Sequence, residues 1–296
     1  MKMTFLGTQA MQPTRERGLS SIHLTADSES WLIDCGEGTQ RQMKIAGIKP
    51  TKLTKIFISH FHADHVLGLA GLMRNLSANE YKGVLHIYGP KGLPVFFDHL
   101  LRSSLYIPKV KVRLVEIKPG KIVETERLIV EAFRLFHSVE SLGFVVQEKA
   151  KRKINPEVMR RIGLVQHPLL GELQRGKDIV WKGKKVSVKK ATFLVAGRKY
   201  VFIQDTGFDK KLVKYAKGAD LLVCESTFES KDEEKARECR HLTAGQAGMI
   251  AKKGKVKRLI VTHFSQRYAD LSQMRKDARK AFPKAELAED FMTVEV

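Results

Sequence analysis

The sequence predicts a layered α/β protein. Short runs rich in β-branched and aromatic residues recur along the chain, and segments of helical periodicity fall between them. Interleaved strands and helices of this kind are typical of sheets covered by helices. With 43% hydrophobic residues among 296, the chain can bury a large core, and this length fits one two-layered domain or two smaller ones.

The predicted elements alternate in chain order. In the first part we expect helices over 39–46 and 66–77, and strands over 3–6, 21–24, 31–34, 55–58 and 84–88. A second run follows, with helices over 243–253 and 271–281, and strands over 111–117, 128–136, 142–146, 193–195, 200–203, 221–224 and 258–261. The chain contains no internal repeat and no low-complexity tract.

One segment, from Lys149 to Lys190, breaks this alternation. It is basic, with Lys151, Arg152 and Lys153 in succession, and it is rich in the turn-forming residues proline and glycine. The pattern predicts an insertion that projects from the core. A surface loop without function is the alternative, since loops vary freely. We favour an arm that holds the substrate.

Charge and cysteine content narrow the class of protein. The 53 Lys and Arg residues exceed the 32 Asp and Glu residues by 21, which favours a polyanionic partner such as nucleic acid over a surface tuned only for solubility. Three cysteines are too few for a disulfide framework, and no segment reaches the ~18 apolar residues needed to cross a membrane. The start of the chain also lacks a signal-peptide pattern. We therefore expect a cytoplasmic protein without a membrane partner.

The strongest chemical signal is a cluster of four metal-ligand residue types within six positions. His60, His62, Asp64 and His65 directly follow an apolar strand and open a helix. Burying all four without a cation would carry a large desolvation cost. His60 and His62 can converge on one cation, while Asp64 and His65 can face a second. Imidazole nitrogen with carboxylate oxygen is the ligand set of catalytic zinc, so the cluster predicts a metal site.

A site with two metals needs further ligands, and three predicted strands end on suitable residues. His137 follows the strand over 128–136, Asp205 follows the strand over 200–203, and His263 follows the strand ending at 261. Each residue alone would be an ordinary cap or turn residue. Together with the histidine and aspartate cluster they form a constellation typical of a metal centre.

The constellation resembles the metallo-β-lactamase superfamily, and further blocks resemble short-form tRNase Z. These blocks are residues 34–42, 59–71, 205–207 and 262–268, and the similarity runs over almost the entire chain. The resemblance implies a four-layer αββα sandwich, formed as a single domain over residues 1–296 with a basic arm over 149–190. It also implies a homodimer that binds precursor tRNA.

The resemblance assigns the ligands position by position. It implies two Zn²⁺ per subunit, with other divalent metals also able to bind. One ion would be held by His60, His62 and His137, and the other by Asp64, His65 and His263, with Asp205 bridging. Asp34 matches a position that orients the ligands, although a turn role at the strand end stays equally open.

The implied reaction is removal of the 3′ trailer from precursor tRNA, which leaves a 3′ hydroxyl on the tRNA. Two metals would lower the pKa of a bridging water, and the resulting hydroxide would attack phosphorus with Asp64 as the candidate proton acceptor. Glu225 could orient His241, which would then protonate the departing 3′ oxygen. The ordinary alternative for His241 is a residue at a helix start.

The predicted substrate contacts are less specific than the metal ligands. The candidates are Lys151, Arg152, Lys153, Gly171 and Arg267. Phe208 and Tyr268 either stack on a terminal base or simply pack.

Three rival functions remain open at this point. They are a small-molecule hydrolase of the same superfamily acting on an ester, lactone or thioester, a nucleic-acid-binding protein with a dead site, and a nuclease acting on DNA or mRNA. The net charge of +21 disfavours the first, all seven intact ligand positions disfavour the second, and the lack of room for an additional large domain disfavours the third.

Overall fold

A computed structural model describes residues 1–26, 29–105 and 109–295. The strands in chain order are β1 (Lys2–Gly7), β2 (Gln9–Ala10), β3 (Ser21–Ala26), β4 (Glu29–Ile33), β5 (Leu53–Phe57), β6 (Val84–Gly89), β7 (Lys111–Glu116), β8 (Gly120–Glu124), β9 (Leu128–Leu135), β10 (Ser141–Glu148), β11 (Lys151–Ile154), β12 (Ile179–Trp181), β13 (Lys184–Val186), β14 (Thr192–Val195), β15 (Lys199–Ile203), β16 (Leu221–Glu225), β17 (Leu259–Thr262), β18 (Phe264–Ser265), β19 (Glu286–Leu287) and β20 (Thr293–Glu295).

The helices lie between these strands. They are α1 (Thr39–Ile45), α2 (Ala63–Val66), α3 (Gly68–Ala78), α4 (Leu93–Arg102), α5 (Pro156–Ile162), α6 (Leu169–Gln174), α7 (Val188–Ala191), α8 (Leu212–Ala216), α9 (Glu233–Cys239), α10 (Ala244–Gly254) and α11 (Ser272–Ala281), with 3-10 turns at Pro50–Lys52 and Ser230–Asp232. In the described part of the chain, every helix is too short or too polar to span a bilayer.

Two large mixed sheets form the centre of the fold. Within the described residues the first has the strand order β20-β1-β3-β4-β5-β6-β7, and the second has the order β19-β17-β16-β15-β10-β9-β8. Alternate side chains of each strand point to opposite faces of its sheet. Trp31 and Tyr200 therefore enter the cluster between the two sheets, while their neighbours Leu32 and Val201 enter clusters on the outer faces.

The core between the sheets is rich in aromatic residues. The ring of Phe57 from the first sheet lies 5.7 Å from that of Phe144 in the second, and it stacks on Tyr88 at 5.1 Å. Helix α3 packs on the outer face of the first sheet through Leu69 and Leu72. Helices α10 and α11 cover the outer face of the second sheet. These layers form the expected αββα sandwich.

Strand direction brings the predicted ligand positions to one edge. Strands β15, β16 and β17 are parallel, and β9 runs in the same direction because β10 is antiparallel to both β9 and β15. Their carboxyl ends therefore lie side by side. The segment after β5 in the first sheet joins this edge, where the amide of Leu142 donates to the Ser59 carbonyl at 3.0 Å.

The inserted segment has its own small core. Strands β11 and β14 pair as an antiparallel ribbon, and the elements between them bury an apolar cluster that shares no residue with the other three clusters of the described chain. The returning strand of this ribbon, β14, follows the predicted arm over 149–190 directly and leads to β15.

Other differences from the sequence prediction are local. The helix predicted over 66–77 starts earlier and divides at Leu67 into α2 and α3. A Cβ at Gly68 would lie 2.0 Å from the Gly36 carbonyl oxygen, so this glycine permits close contact at the break. Helix α4 lies outside the predicted elements, although Pro94 in its first turn is a favoured helix start.

Candidate metal centre

The structure brings the seven predicted ligands together in two groups at the common edge of the sheets. In each group the candidate ligand atoms lie within 4.8 Å of one another. The first group is His60, His62, His137 and Asp205, and the second is Asp64, His65, His263 and Asp205. Asp205, which follows β15, is thus common to both groups, as a bridging ligand would be.

In the first group, three ring nitrogens and one carboxylate oxygen face a common centre. His62 Nδ1 lies 3.0 Å from His60 Nε2 and 3.2 Å from His137 Nε2. Asp205 Oδ2 lies 3.6 Å from His60 Nε2 and 4.0 Å from His137 Nε2. Ligands bound tetrahedrally to zinc at about 2.0–2.1 Å stand about 3.3 Å apart, so this spacing suits one metal ion.

The second group has the same compactness. His65 Nε2 and His263 Nε2 are 3.2 Å apart, and His263 Nε2 lies 3.3 Å from Asp64 Oδ2 and from Asp205 Oδ1. Asp64 Oδ2 also accepts a hydrogen bond from the backbone amide of Met11 at 2.8 Å. That bond helps to hold the carboxylate beside the two imidazoles.

Fixed partners hold the outer nitrogens of the imidazoles. His65 Nδ1 lies 2.7 Å from Asp34 Oδ2, and His137 Nδ1 donates to the Arg240 carbonyl at 2.9 Å. His60 Nδ1 lies 2.9 Å from Ser59 Oγ, which itself donates to Asp34. Each of these rings therefore turns Nε2 toward the centre. Such partners set the tautomer and aim the ligand nitrogen.

Asp34 is the hub of this outer network. Its buried carboxylate accepts hydrogen bonds from the Ser59 amide at 2.8 Å, Ser59 Oγ at 2.9 Å and Gln204 Nε2 at 2.7 Å, besides its contact with His65. The residue follows β4 with φ of 58°, a left-handed conformation that aspartate tolerates better than most residues. Asp34 therefore contacts two ligand-bearing segments directly, beyond its place in the turn.

The charge balance of the groups favours bound cations. Burial lowers the pKa of His60 well below its usual range, so this ring is neutral and able to ligate. Burial alone would raise the pKa of Asp205, but His263 and His65 hold it well below its usual range. Burial alone would lower the pKa of His65, but Asp205, Asp64 and Asp34 raise it well above its usual range. The carboxylates thus favour positive charge at the centre.

A second pair of predicted residues, Glu225 and His241, adjoins the second group. Glu225 is fully buried at the end of β16, and its Oε1 lies 2.9 Å from His241 Nδ1. The same carboxylate accepts from Thr206, Thr227 and the Leu242 amide. Burial disfavours the charged form of His241, but Glu225 raises its pKa to about 9. Glu225 therefore favours the protonated form of His241.

These groups face a cavity of about 460 Å³. Arg267, one of the predicted substrate contacts, lines it and lies with its guanidinium 4.9 Å from the Phe228 ring centroid. The other predicted contacts lie outside its lining, in the inserted segment, where Lys151, Arg152 and Lys153 belong to β11 and Gly171 belongs to α6. Tyr268 is packed, and its hydroxyl donates to Asp232.

Several contributors to the centre escape sequence reasoning. Gln204, the Arg240 carbonyl and Thr227 all hold ligands or their partners, with Thr227 Oγ 2.9 Å from His263 Nδ1. Gln204 lies directly before Asp205, and Thr227 lies two residues after Glu225, so proximity to a ligand is the available signal. A backbone carbonyl gives no such signal.

The donor set fits divalent metal ions. Among the described residues, Asp205 Oδ1 is a buried oxygen without a hydrogen-bond partner. An orphaned buried oxygen facing ring nitrogens at ligand spacing is costly unless a cation satisfies it. Nitrogen and oxygen donors without thiolate are the set expected of a catalytic zinc site, in which a position stays open for water or substrate.

The fold and the site define a metallo-β-lactamase-fold protein with a metal centre. The metallo-β-lactamase fold protein YhfI from Bacillus subtilis superposes with a TM-score of 0.73 at 18% identity, covering 100% of this chain and 99% of its own. Residues 1–152, about half of the chain, belong to the family whose model is described as Anti-Pycsar protein Apyc1. That match ends before Asp205 and His263, which complete the centre.

Full-length relatives identify the family. Ribonuclease Z of Methanothermobacter thermautotrophicus is 37% identical over 100% of this chain and 97% of its own, and that of Streptococcus sanguinis is 38% identical over 100% of both. Human short-form tRNase Z superposes with a TM-score of 0.74 at 31% identity, covering 100% of this chain and 99% of its own. The chain belongs to the ribonuclease Z family and is a metal-dependent endoribonuclease.

Proposed function

We propose that this enzyme removes the 3′ trailer from precursor tRNA. It hydrolyses one phosphodiester bond and leaves the 3′ hydroxyl on the tRNA and the phosphate on the trailer. The observation that carries the proposal is the full-length similarity to ribonuclease Z proteins of several organisms, at 36–38% identity. The net charge of +21 supports an RNA substrate.

Two Zn²⁺ ions per subunit complete the proposed site, with other divalent metals able to substitute. His60, His62 and His137 would hold one ion, Asp64, His65 and His263 would hold the other, and Asp205 would contact both. When bound, such ions lower the pKa of a water molecule and neutralise phosphate oxygens.

Two residues of the chain are proposed to transfer protons, one as the acceptor and one as the donor. Asp64, whose carboxylate is held by the Met11 amide, is the proposed acceptor of the proton from the attacking water. His241, held by Glu225, is the proposed donor to the departing 3′ oxygen. A protonated imidazole held by a carboxylate is a sound general acid. Its proton is needed because the alkoxide of a ribose is a poor leaving group.

The inserted segment is proposed to hold the body of the tRNA. Residues 149–190 contain 13 Lys or Arg against 3 Asp or Glu, so this segment carries +10 of the total +21. Lys151, Arg152 and Lys153 on β11 and Gly171 on α6 are its proposed contacts. A basic surface on an independent small core can reach RNA phosphates distant from the cleavage site.

The homodimer and the cytoplasmic location are proposals of the same kind. The first rests on the resemblance to short-form tRNase Z, and the second on the free state of all three cysteines. Analytical ultracentrifugation measures the oligomeric state, and cell fractionation measures the location.

End-group analysis tests the proposed reaction. A precursor tRNA with a 3′ trailer is incubated with the zinc-loaded enzyme, and the two fragments are recovered. We expect a 3′ hydroxyl on the tRNA fragment and a 5′ phosphate on the trailer. A cyclic or 3′ phosphate on the tRNA fragment would contradict hydrolysis of the P–O3′ bond.

The first prediction concerns Asp34→Asn. An amide offers one acceptor oxygen where the carboxylate serves His65, Ser59 and Gln204, so the ligand nitrogens lose their alignment. We expect zinc affinity to fall about 10- to 100-fold, measured by competition with a chromogenic chelator. Asp290→Asn is the matched control, because this half-buried carboxylate accepts from Thr8 and Gly18 outside the two groups. Equal zinc affinity in Asp34→Asn and the native enzyme would disprove the role.

The second prediction concerns His241→Ala. Loss of the general acid should lower kcat on RNA by about 10²- to 10⁴-fold, and the native rate should itself fall at alkaline pH as His241 loses its proton. Bis(p-nitrophenyl) phosphate has a leaving group that departs without a proton, so its hydrolysis should fall far less. His86→Ala, a half-buried histidine of β6, is the control. An equal loss on both substrates would refute proton donation.

A further inference from the structure

A second cavity adjoins His241. It has a volume of about 350 Å³ and is lined by Phe136, Phe208, Glu233, Glu234, Arg237 and His241, among others. His241 also lines the cavity over the metal ligands, and it is the one residue that the two linings have in common. The volume lies within the range of ordinary small-ligand sites, about 300–1,000 Å³.

An exposed but immobilised aromatic ring forms one wall. Phe136 directly precedes the candidate ligand His137, and its side chain is 54% exposed. Its amide donates to Thr206 Oγ at 3.0 Å, and its carbonyl accepts from the Gly207 amide at 2.7 Å. A Cβ at Gly207 would lie 2.9 Å from the Phe136 ring, so glycine leaves space for the ring there. The Arg240 guanidinium lies 5.0 Å from the ring centroid, so the ring has a fixed backbone and one charged neighbour, and its exposed part is suited to stacking.

Acidic and basic groups share the rim, since Arg237 and His241 line the cavity as well as Glu233 and Glu234. Glu233 and Glu234 both line the cavity in a chain that is otherwise strongly basic. Glu233 accepts from Gln246 Nε2 at 3.0 Å, and Glu234 lies 3.9 Å from Arg237. Carboxylates repel a phosphate group but accept hydrogen bonds from the amino and imino groups of a base. Aromatic walls with acceptors at the rim therefore fit a nucleobase.

We propose that the cavity of Phe136 and Phe208 binds the nucleobase of the last nucleotide retained on the tRNA, directly 5′ of the cleaved bond. The inference rests on the proposed function, in which His241 protonates the 3′ oxygen of that nucleotide. A ribose whose 3′ oxygen meets His241 has its phosphate on the metal side, and its base is within reach of the second cavity. Stacking there would position the leaving oxygen.

The test is a double-mutant cycle in which changes in the enzyme are combined with a change in the RNA substrate. Two precursor tRNAs are compared, one normal and one abasic only at the nucleotide before the cleavage site. Each is cut by the native enzyme, by Phe208→Leu, which keeps apolar volume but removes the ring, and by Phe208→Tyr, which restores an aromatic face. Loss of one base stack should lower kcat/KM about 5- to 150-fold.

We expect the native enzyme to lose this factor on the abasic RNA, and Phe208→Leu to lose a similar factor on the normal RNA. Phe208→Leu should then discriminate less between the two RNAs than the native enzyme does, because only the Phe136 ring remains in the cavity, while Phe208→Tyr regains the native preference. Phe193→Ala removes a partly exposed ring on β14 and should change both RNAs by one common factor.

Two failures are distinguishable. If the native enzyme cuts the normal and abasic RNAs at equal rates, the base-binding cavity is refuted while RNA cleavage stands. If it cuts neither RNA, the proposed function itself fails. Because the abasic comparison uses the native enzyme, a folding defect in a variant does not alter either outcome.

Discussion

Asp205→Ala is expected to abolish RNA cleavage, with kcat reduced on the order of 10⁴-fold or more, as for other residues that act as one catalytic unit. Asp205 is the only described residue that belongs to both four-residue ligand groups at the sheet edge. Its removal takes an oxygen donor from each and leaves His60, His65 and His263 without their shared counter-charge. Mass spectrometry measures the loss of bound metal, and single-turnover cleavage measures the loss of activity.

Asp220→Ala is the matched control for this variant. Asp220 precedes β16 at the end opposite the metal centre, where it accepts from the Lys199 amide at 2.8 Å and Lys257 Nζ at 2.7 Å. It should keep both metal content and activity. An Asp205→Ala enzyme that binds metal and cuts RNA like the native one would overturn the assignment of the centre.

The second large effect is expected from deleting the inserted segment. Glu148 and Arg198 are already paired, with the Glu148 amide donating to the Arg198 carbonyl at 2.9 Å. A two-residue Asn-Gly turn can therefore replace residues 149–197 and join β10 to β15 as a hairpin. The remaining fold should persist, because the apolar cluster of the segment is separate from the others.

This deletion should lower kcat/KM on precursor tRNA by about two to three orders of magnitude, since many phosphate contacts are lost at once. Hydrolysis of bis(p-nitrophenyl) phosphate should change little, because the residues that line the cavity over the metal ligands lie outside the segment. Replacing Lys210, Lys211 and Lys214 near α8 with glutamine removes charge elsewhere and should have a small effect. Undiminished tRNA cleavage by the deletion enzyme would refute the proposed role of the inserted segment in holding the tRNA.

The convergence of the candidate ligands was predictable because a sheet converts sequence order into spatial order. His137, Asp205 and His263 are far apart in the chain, yet each follows a strand end, and parallel strands end at one edge. An apolar strand followed by a potential ligand therefore indicates, from sequence alone, which residues lie together at that edge. The layered fold was predictable for the same reason, from strands and helices with distinct periods.

Other features depend on contacts that no local pattern encodes. Gln204 reaches Asp34 across 170 positions of sequence, and the Arg240 carbonyl supports His137 through its backbone alone. The cavity beside His241 combines Phe136 with α9, two segments whose proximity follows from tertiary packing. Turn-forming residues in the segment after Lys149 indicated an insertion, but its internal core depends on how its short helices meet.

RNA, and not a small ester, is the proposed substrate of this metal centre. The decisive measurement compares kcat/KM of the zinc-loaded enzyme on a precursor tRNA with a 3′ trailer and on a panel of lactones and thioesters. We predict removal of the trailer and little or no turnover of the panel. An intact precursor beside rapid hydrolysis of a lactone or thioester would contradict the assignment of RNA as the substrate.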